Sequence, residues 1–471
     1  MSSRFTLLLT ASLLGSNLSG CVARDAGYSE VQRGTSERIG KEVHWRRHDD
    51  AQARTREVTR SLLSRPLTVE SAVQLGLLNS SAVQVAFEEL GLARAELARA
   101  LAIPNPSAEL AVRFNGGSRP DLEIHAYEDV LGLLFLPLRS GAARAALDAA
   151  KRESLGRVLD HALAVRLAFY EYQASAQTLV LRRTILQAVR ASYDAAQRMH
   201  EAGNVSELNL ASERALYEEA RIEFARAEAA ERALREQLNE RMGLFAEGES
   251  WGVEPRLPDA SPVAGLGAEL EQRALSQSID LEVLRARYAS AAKQANYAQL
   301  RGVLPSLRAG VSAERSEAGS FAIGPAAALG VPLFYQGQAE VDAAESDMQR
   351  QRQSYDGAAL RIRSSARALS VGLQSSAASA DYYKRVLLPL RDEIVRNTEL
   401  EYNAMSVGVF QLLQAKREQI RAAVTYVDLL KDYWSLRARA EQLALGRLPP
   451  TGSFGSSVSV AAEASGSAEA H

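Results

Sequence analysis

The stretch PSAELAVRF at residues 106–114 decides the fold, because its apolar side chains recur every second residue. Leu110 and Val112 alternate with Glu109 and Arg113, the pattern of a strand with one apolar and one polar face. The stretch PSLRAGVSA at residues 305–313 repeats this alternation. The sequence therefore predicts amphipathic strands in two separate parts of the chain.

These strands belong to a longer internal duplication. Pro106-Ser107 recurs as Pro305-Ser306, and Pro137-Leu138 recurs as Pro332-Leu333. Five such landmarks recur with offsets of 194–203 residues along the chain. A nearly constant offset indicates two tandem copies of one unit.

Each copy is predicted to run helix, strand, strand, long helix, turn and helix. The first helix begins after Thr68 as N-cap and continues to about Ala102, before Pro104. The return strands are expected at 122–136 and 321–333, the long helices at about 142–202 and 338–405, and the last helices end near Gly243 and Gly446. Glu128-Asp129 breaks the alternation in the first return strand, so its register is open, and Pro389 is expected to kink the second long helix.

The first long helix carries a coiled-coil stripe. Its apolar residues keep a three–four spacing over more than three heptads. They are Leu155, Val158, Ala162, Val165, Phe169, Tyr172, Ala176 and Leu179. We interpret this stripe as helix core and not as a ligand site.

Composition excludes several classes of protein. The 471 residues are 46% hydrophobic but only 6% aromatic, which favours long helices packed through small and aliphatic side chains. The 55 basic and 57 acidic side chains give a net charge of -2, so no nucleic-acid partner is expected. One Cys and six His exclude a disulfide framework and a Cys-rich zinc site.

No motif for catalysis or cofactor binding is present. The sequence lacks a nucleophile elbow, a phosphate-binding loop and a metalloprotease helix. His44 and His48 stand four residues apart, but the charged residues around them favour a solvated tether over a metal site. We therefore predict that the protein is not an enzyme and has no cofactor or resident metal.

The N-terminus resembles a bacterial lipoprotein signal. Arg4 precedes an apolar stretch from Phe5 to Leu14, too short to cross a bilayer, and Leu18-Ser19-Gly20-Cys21 follows. The resemblance implies cleavage before Cys21 and acylation of its thiol, which anchors the chain to lipid. Val22 after the Cys favours the outer membrane. The alternative is an ordinary signal peptide followed by a buried free thiol.

The strands also predict the oligomeric state. The chain has no run of about eighteen apolar residues, so any entry into a membrane must use strands. One chain supplies four strands, which leave open edges and cannot close. Three copies would supply twelve, which makes a cyclic homotrimer the simplest solution.

With these features the sequence resembles the TolC-like outer-membrane efflux channels over about residues 66–446. The matching residues are Leu67 to Ala72, the strand starts at Pro106-Ser107 and Pro305-Ser306, Pro332-Leu333-Phe334, and the turn region from Tyr402 to Ala415. The resemblance implies a mainly α fold with a membrane β-barrel contribution: a trimeric channel-tunnel built from the duplicated unit. It also implies a periplasmic adaptor (membrane fusion protein) and an inner-membrane efflux pump as partners.

Candidate site residues follow from this resemblance and from the strand pattern. Glu109, Arg113, Arg308 and Ser312 are expected to face the barrel lumen. Gly203, Ser406 and Gly408 are expected to allow tight turns at the periplasmic tip. Drug-exporting relatives commonly carry acidic gate residues where this chain has Gln411 and Gln414, so a less cation-selective closed state is expected. Glu201 and Glu207 flank the first turn and could substitute.

The predicted organisation along the chain has six parts. They are a signal peptide (1–20), a lipidated tether (21–65), the first repeat (66–250), a linker (251–267), the second repeat (268–447) and a disordered C-terminal tail (448–471). The predicted function is an outer-membrane duct for drugs or metal ions. Ile103-Pro104-Asn105-Pro106 looks like the metal-efflux branch of the family. The main alternative is a lipid-anchored periplasmic coiled-coil adaptor or scaffold without a pore.

Overall fold

The computed structural model describes residues 25–47, 49–114, 120–245, 251–254, 256–261, 266–315 and 319–450. Cys21, His48 and the segment 451–471 lie outside the described residues. The chain divides into two compact units. The first, called the sheet unit, contains the described residues of Met1–Ile39, Gln84–Gly156 and Ile279–Leu360. The second, called the hairpin unit, contains those of Gly40–Val83, Arg157–Ser278 and Arg361–His471.

The described elements follow the predicted order twice. Before the first repeat lie α1 (Tyr28–Ile39) and α2 (Asp49–Leu63). The first half then contains α3 (Val69–Asn79), α4 (Ser81–Leu101), β1 (Ser107–Arg113), β2 (Asp121–Asp129), α5 (Val130–Leu134), α6 (Leu136–Glu201) and α7 (Glu207–Met242). The second half contains α8 (Leu266–Ser276), α9 (Ile279–Val303), β3 (Leu307–Arg315), β4 (Phe321–Leu329), α10 (Gln338–Tyr382), a π-helix (Tyr383–Leu387), α11 (Leu388–Asn403) and α12 (Val409–Ala444).

The first predicted helix begins at the expected residue, but the segment predicted as one helix forms two. The Thr68 side chain accepts a hydrogen bond from the backbone N–H of Ser71, and the Ser71 side chain accepts one from the backbone N–H of Thr68, which closes a capping box. The helix stops at Ser80, whose backbone is extended. A second helix starts at Ser81 and ends before Pro104.

The segment predicted as a tether contains two helices in its described part, although its sequence is polar and has no regular pattern. Helix α1 buries Val31 and Thr35, which lie one turn apart. Tyr28 packs edge-on against Phe87, with ring centroids 5.2 Å apart. A few well-placed contacts order this segment although its mean composition is polar.

The first return strand is shorter than predicted. It ends at Asp129 because the Asp129 side chain accepts a hydrogen bond from the N–H of Gly132, at 3.0 Å, and so caps helix α5. The second return strand ends at Leu329, so Val331 and Leu333 lie outside it. The expectation that strands continue to residues 136 and 333 is therefore wrong.

Helix α6 runs unbroken over 66 residues. In the hairpin unit, its predicted stripe residues Val158, Ala162, Val165, Phe169 and Tyr172 are all buried, which confirms this part of the stripe as helix core. Neighbouring positions on other faces are buried as well, among them Leu159, His161 and Leu163. This helix is therefore packed on more faces than a two-stranded coiled coil requires.

The second long helix is interrupted one turn before Pro389. The residues Tyr383–Leu387 form a π-helix, in which the N–H of Leu388 bonds to the carbonyl of Tyr383. Pro389 has no N–H for the carbonyl of Arg385, and its ring crowds that carbonyl. The helix is thus interrupted by a widened turn just before Pro389, where the sequence predicted a kink.

Candidate functional site

The four strands form one antiparallel sheet in the order β1-β2-β3-β4. Glu109 faces His125 across the β1–β2 pair, and His125 faces Ser312 across the β2–β3 pair. Residues that face each other, and every second residue along a strand, share a side of the sheet. The register therefore places Glu109, Arg113, Arg308 and Ser312 on one face.

That polar face carries ion pairs between strands. The Arg308 guanidinium contacts the Glu109 carboxylate at 3.2 Å, and the Arg113 guanidinium contacts that of Glu123 at 2.6 Å. Arg308 also lies over the ring of Tyr127, with 5.2 Å to its centroid. Two predicted residues, Glu109 and Arg308, thus meet although they are 199 positions apart.

Sequence reasoning missed the contribution of β2 to this face. Glu123, His125 and Tyr127 alternate along the strand and share the side of Glu109. The rings of His125 and Tyr127 stack with centroids 5.8 Å apart. A signal was present in the alternation of Leu122 and Ile124 with these residues, but the acidic pair at 128–129 obscured it.

The opposite face of the sheet is apolar and exposed in the single chain. Its exposed residues are Leu110, Val112, Ile124, Val311, Phe321, Ile323 and Leu329. Large exposed apolar surfaces of this kind mark contact with a membrane or another protein. Within the described residues, β1 pairs only with β2 and β4 only with β3, so both outer strands are edges.

Aromatic side chains lie near both ends of the apolar face. Phe114 follows β1 and Phe321 begins β4, at the end of the sheet where β1 leaves and β4 enters. Beyond the other end of β4, Phe334 is 98% exposed and Tyr335 is more than half exposed. Aromatic residues flanking an apolar band are typical of the two membrane–water interfaces.

The turn between α6 and α7 is closed by a left-handed glycine. Gly203 has a φ of +74°, and the N–H of Asn204 bonds to the carbonyl of Met199 at 2.8 Å. Ser206 caps the next helix by accepting a hydrogen bond from the N–H of Asn209. This left-handed conformation suits glycine, which has no Cβ to oppose it.

The turn between α11 and α12 has the same backbone pattern, but the residue in the left-handed conformation is not a glycine. The N–H of Ser406 bonds to the carbonyl of Glu401 at 2.9 Å, and the left-handed residue is Met405, with a φ of +59°. Gly408 instead has an extended backbone and is the N-cap of α12. The left-handed conformation in this turn is therefore adopted by Met405 and not by Ser406 or Gly408.

The remaining residues predicted for the tip are exposed and polar. Gln411 and Gln414 lie on the first turns of α12, where the side chain of Gln414 contacts Glu418 and Arg417. Glu201 accepts a hydrogen bond from Gln197, and Glu207 begins α7. Among the described residues, no group of His, Cys, Asp and Glu side chains could hold a metal ion.

No described helix is both long enough and apolar enough to cross a bilayer.

Solved structures of outer-membrane channels are similar to this fold. The outer membrane protein VceC of Vibrio cholerae has a TM-score of 0.64 at 16% identity, covering 86% of this chain and 98% of its own. The CmeC outer membrane channel of Campylobacter jejuni has a TM-score of 0.64 at 15% identity, covering 84% and 89%. The MtrE outer membrane channel of Neisseria gonorrhoeae, solved in its open state, has a TM-score of 0.61 at 16% identity, covering 82% and 91%.

These likenesses define the class of fold. The chain has the mostly helical fold with a small antiparallel sheet that outer-membrane channels of the TolC type share. The resemblance found in the sequence is confirmed at this level. No protein-family model matches the sequence, and no curated protein matches it.

Proposed function

We propose that this protein is the outer-membrane channel of a tripartite efflux system. It is a passive duct that receives small molecules, drugs or metal ions, from an inner-membrane pump and a periplasmic adaptor and releases them outside the cell. The observation that carries the proposal is the sheet, which has one exposed apolar face, one charged face and two open edges. Such a sheet fits a wall between lipid and water.

The open edges support assembly from copies of the same chain. In a bilayer every backbone N–H and C=O must be paired, so β4 of one subunit would pair with β1 of the next. Three subunits would contribute twelve strands to a closed barrel. In the hairpin unit an exposed apolar stripe of Val371, Tyr382, Val386 and Leu390 offers a second surface for contact between subunits.

The residues predicted for the lumen and those predicted for the tip have separate roles in this proposal. Glu109, Arg113, Arg308 and Ser312 line the water-filled interior, where charged side chains stay hydrated. The tip formed by Glu201, Gly203, Glu207, Ser406, Gly408, Gln411 and Gln414 narrows the duct and meets the adaptor. Met405, which is 94% exposed in a conformation unfavourable for a non-glycine residue, belongs to this surface.

Outer-membrane location and the lipid anchor at Cys21 complete the proposal. The lipid would hold each subunit in the periplasmic leaflet. Mass spectrometry of the mature N-terminal peptide tests this step, since an acylated Cys21 and loss of residues 1–20 are expected. A mature chain with a free thiol at Cys21 would contradict it.

Channel formation is tested by purifying the full chain in detergent and recording currents in a planar lipid bilayer, with native electrophoresis on the same sample. A trimer that conducts supports the duct. A folded protein that never conducts, in any oligomeric state, would instead favour the adaptor or scaffold without a pore.

The substrate class is tested in cells. A deletion strain, with and without a rescuing plasmid, is exposed to divalent transition metals and to unrelated hydrophobic antibiotics. Sensitivity to metals alone would support the likeness of Ile103 to Pro106 to the metal-efflux branch. Sensitivity to unrelated drugs would make the protein a general outlet.

A further inference from the structure

The segment that joins the two repeats crosses the hairpin unit and is bonded at both ends. We call residues 251–254 and 256–261 the strap. Its first part is fixed to helices α6 and α7, the first hairpin. The Trp251 indole donates to the Asn239 side chain at 2.8 Å, and Arg235 donates to the Trp251 carbonyl at 2.8 Å. Gln173 donates to the carbonyls of Glu254 and Arg256.

The second part of the strap is fixed to the second hairpin, formed by α10, the π-helix, α11 and α12. The hydroxyl of the fully buried Tyr433 donates to the Ser261 carbonyl at 3.0 Å and accepts from the Ser261 N–H at 3.3 Å. The Trp434 indole donates to the Pro258 carbonyl at 2.8 Å. The strap therefore forms hydrogen bonds to both hairpins.

Asp259 connects the strap to the interrupted helix itself. Its carboxylate contacts the Lys384 ammonium at 2.6 Å and accepts a hydrogen bond from the Tyr426 hydroxyl at 3.0 Å. Lys384 lies inside the π-helix, and Tyr426 lies opposite on α12. These bonds lower the pKa of Asp259, chiefly through Lys384, so the carboxylate stays charged.

The π-helix has the features of a hinge. Its widened turn lacks the regular bonding of the helices on either side, and Pro389 follows at once. A cleft of about 260 Å³ lies beside it, lined by residues that include Ala260, Lys384 and Tyr426. In contrast, α6 of the first hairpin has no interruption along its 66 residues.

Between the strap and the tips, the two hairpins meet partly through charged side chains. A cavity of about 40 Å³ there is lined by Ile185 and Val189 but also by Glu219, Arg417 and Arg421. The buried residues Ile185, Val189 and Ala220 of the first hairpin also form an apolar cluster, against which Ile420 of α12 packs. The strap is therefore a second attachment of the second hairpin to the first, separate from the direct contact between the two hairpins.

We infer that the strap is a latch and that the π-helix is the hinge it controls. While Asp259 and Tyr433 hold the strap, the arm of the second hairpin beyond the hinge, residues 388–425, stays against the first hairpin. Release of the strap lets this arm swing about Tyr383–Leu387. The inference rests on the proposed function, since the swing would open the tip of the duct.

Hydrogen–deuterium exchange on the purified full-length protein tests the latch without requiring conduction. The double variant Asp259→Asn, Tyr433→Phe removes the ion pair and the hydroxyl and keeps both side-chain shapes. Exchange in peptides from 388–425 should rise by about threefold, the effect of losing the exposed ion pair of Asp259 and the buried hydrogen bonds of the Tyr433 hydroxyl. Peptides from α6 and α7 near the first tip, residues 190–215, should not change.

Asp428→Asn on α12 is the matched control, because the Asp428 carboxylate pairs with Lys431 of the same helix, at 3.4 Å. It should leave exchange at the wild-type level. A double variant with unchanged exchange in 388–425, or with an equal rise in 190–215, would overturn the latch. If the double variant fails to fold, Asp259→Asn alone is measured and judged in the same way.

Recordings of channel currents distinguish failure of this inference from failure of the proposed function. If wild type conducts, the double variant should open several-fold more often at the same voltage, and an unchanged opening frequency would overturn the latch. If wild type never conducts, the proposed duct fails, whereas the exchange experiment still decides whether the strap restrains the arm.

Discussion

Gly446 packs directly against the carbonyl of Gln277. A Cβ at position 446 would come within 1.9 Å of the Gln277 oxygen, and the φ of Gly446 is +86°. The first repeat has the same relationship, since a Cβ at Gly243 would lie 2.7 Å from the Asn79 oxygen. Each repeat thus ends its last helix on the break between its first two helices, where only glycine fits.

This contact predicts a large effect of a small substitution. Gly446→Ala should lower the free energy of unfolding by on the order of 3 kcal/mol, since both backbone strain and a clash with fixed backbone are introduced. Gly203→Ala is the matched control, with a φ of +74° but open space around it. It should lose only about 1 kcal/mol. Urea denaturation followed by circular dichroism measures both, and equal losses would contradict the clash.

The burial of His161 should make the free energy of unfolding depend on pH. Its Nε2 donates to the carbonyl of Arg241 at 2.9 Å, in the last turn of α7. Burial lowers the pKa of His161 below the ordinary value of 6.5, because the neutral ring is favoured there. The unfolded chain therefore takes up the proton first as pH falls, and stability declines from about pH 6.5 down to the lower pKa of the folded state.

His161→Gln keeps a hydrogen-bond donor but cannot titrate. Urea denaturation at a series of pH values between about 7.5 and 5.5 should show a smaller loss of stability in the variant than in wild type. Equal slopes in the two proteins would show that His161 does not contribute to the pH dependence.

The two faces of the sheet should respond differently to an introduced arginine. Ile323→Arg places a charge on the apolar face and should cost about 2–4 kcal/mol per chain if that face meets the bilayer core. Ser312→Arg places the charge on the polar face of the neighbouring strand and should be tolerated. The amount of trimer in outer-membrane extracts, read on native gels, distinguishes them. Similar yields would argue against a lipid-facing apolar face.

Gln411 and Gln414 predict the response of the tip to divalent cations. Amide side chains bind such ions far more weakly than carboxylates do. Single-channel currents of the wild type should therefore persist with divalent cations at the periplasmic side. The double variant Gln411→Asp, Gln414→Asp should become blocked. Sharp block of the wild type at micromolar concentrations would instead place acidic groups, such as Glu201 and Glu207, at the constriction.

A large side chain at the proposed tip should interfere with docking of the adaptor. A Cβ at Gly203 meets no atom within 4 Å, so a large side chain there projects outward. Gly203→Trp should abolish export in cells and leave the trimer intact on a native gel. Loss of the trimer would mark Gly203 as a folding residue. Gly408→Trp is expected to behave in the same way.

Sequence reasoning succeeded where the pattern is local. The alternation in 107–113 and 307–315 predicts both strands and their polar faces, because neighbouring side chains of a strand point to opposite sides. Thr68 as N-cap and the end of a helix near Gly243 follow from local backbone needs in the same way. It failed at β2, whose last residue, Asp129, also caps the helix that follows and so ends the strand.

The sequence by itself determined the duplication, the order of the elements and the two faces of the sheet, since each depends on residue spacing along one segment. Only the tertiary structure decided the register of β2, the left-handed conformation of Met405, the contact of Gly446 with Gln277 and the bonds of Asp259 to Lys384 and Tyr426. Such features join residues that are far apart in sequence or depend on the surrounding packing. Their geometry exists only once the helices have packed, and no periodicity along the chain encodes it.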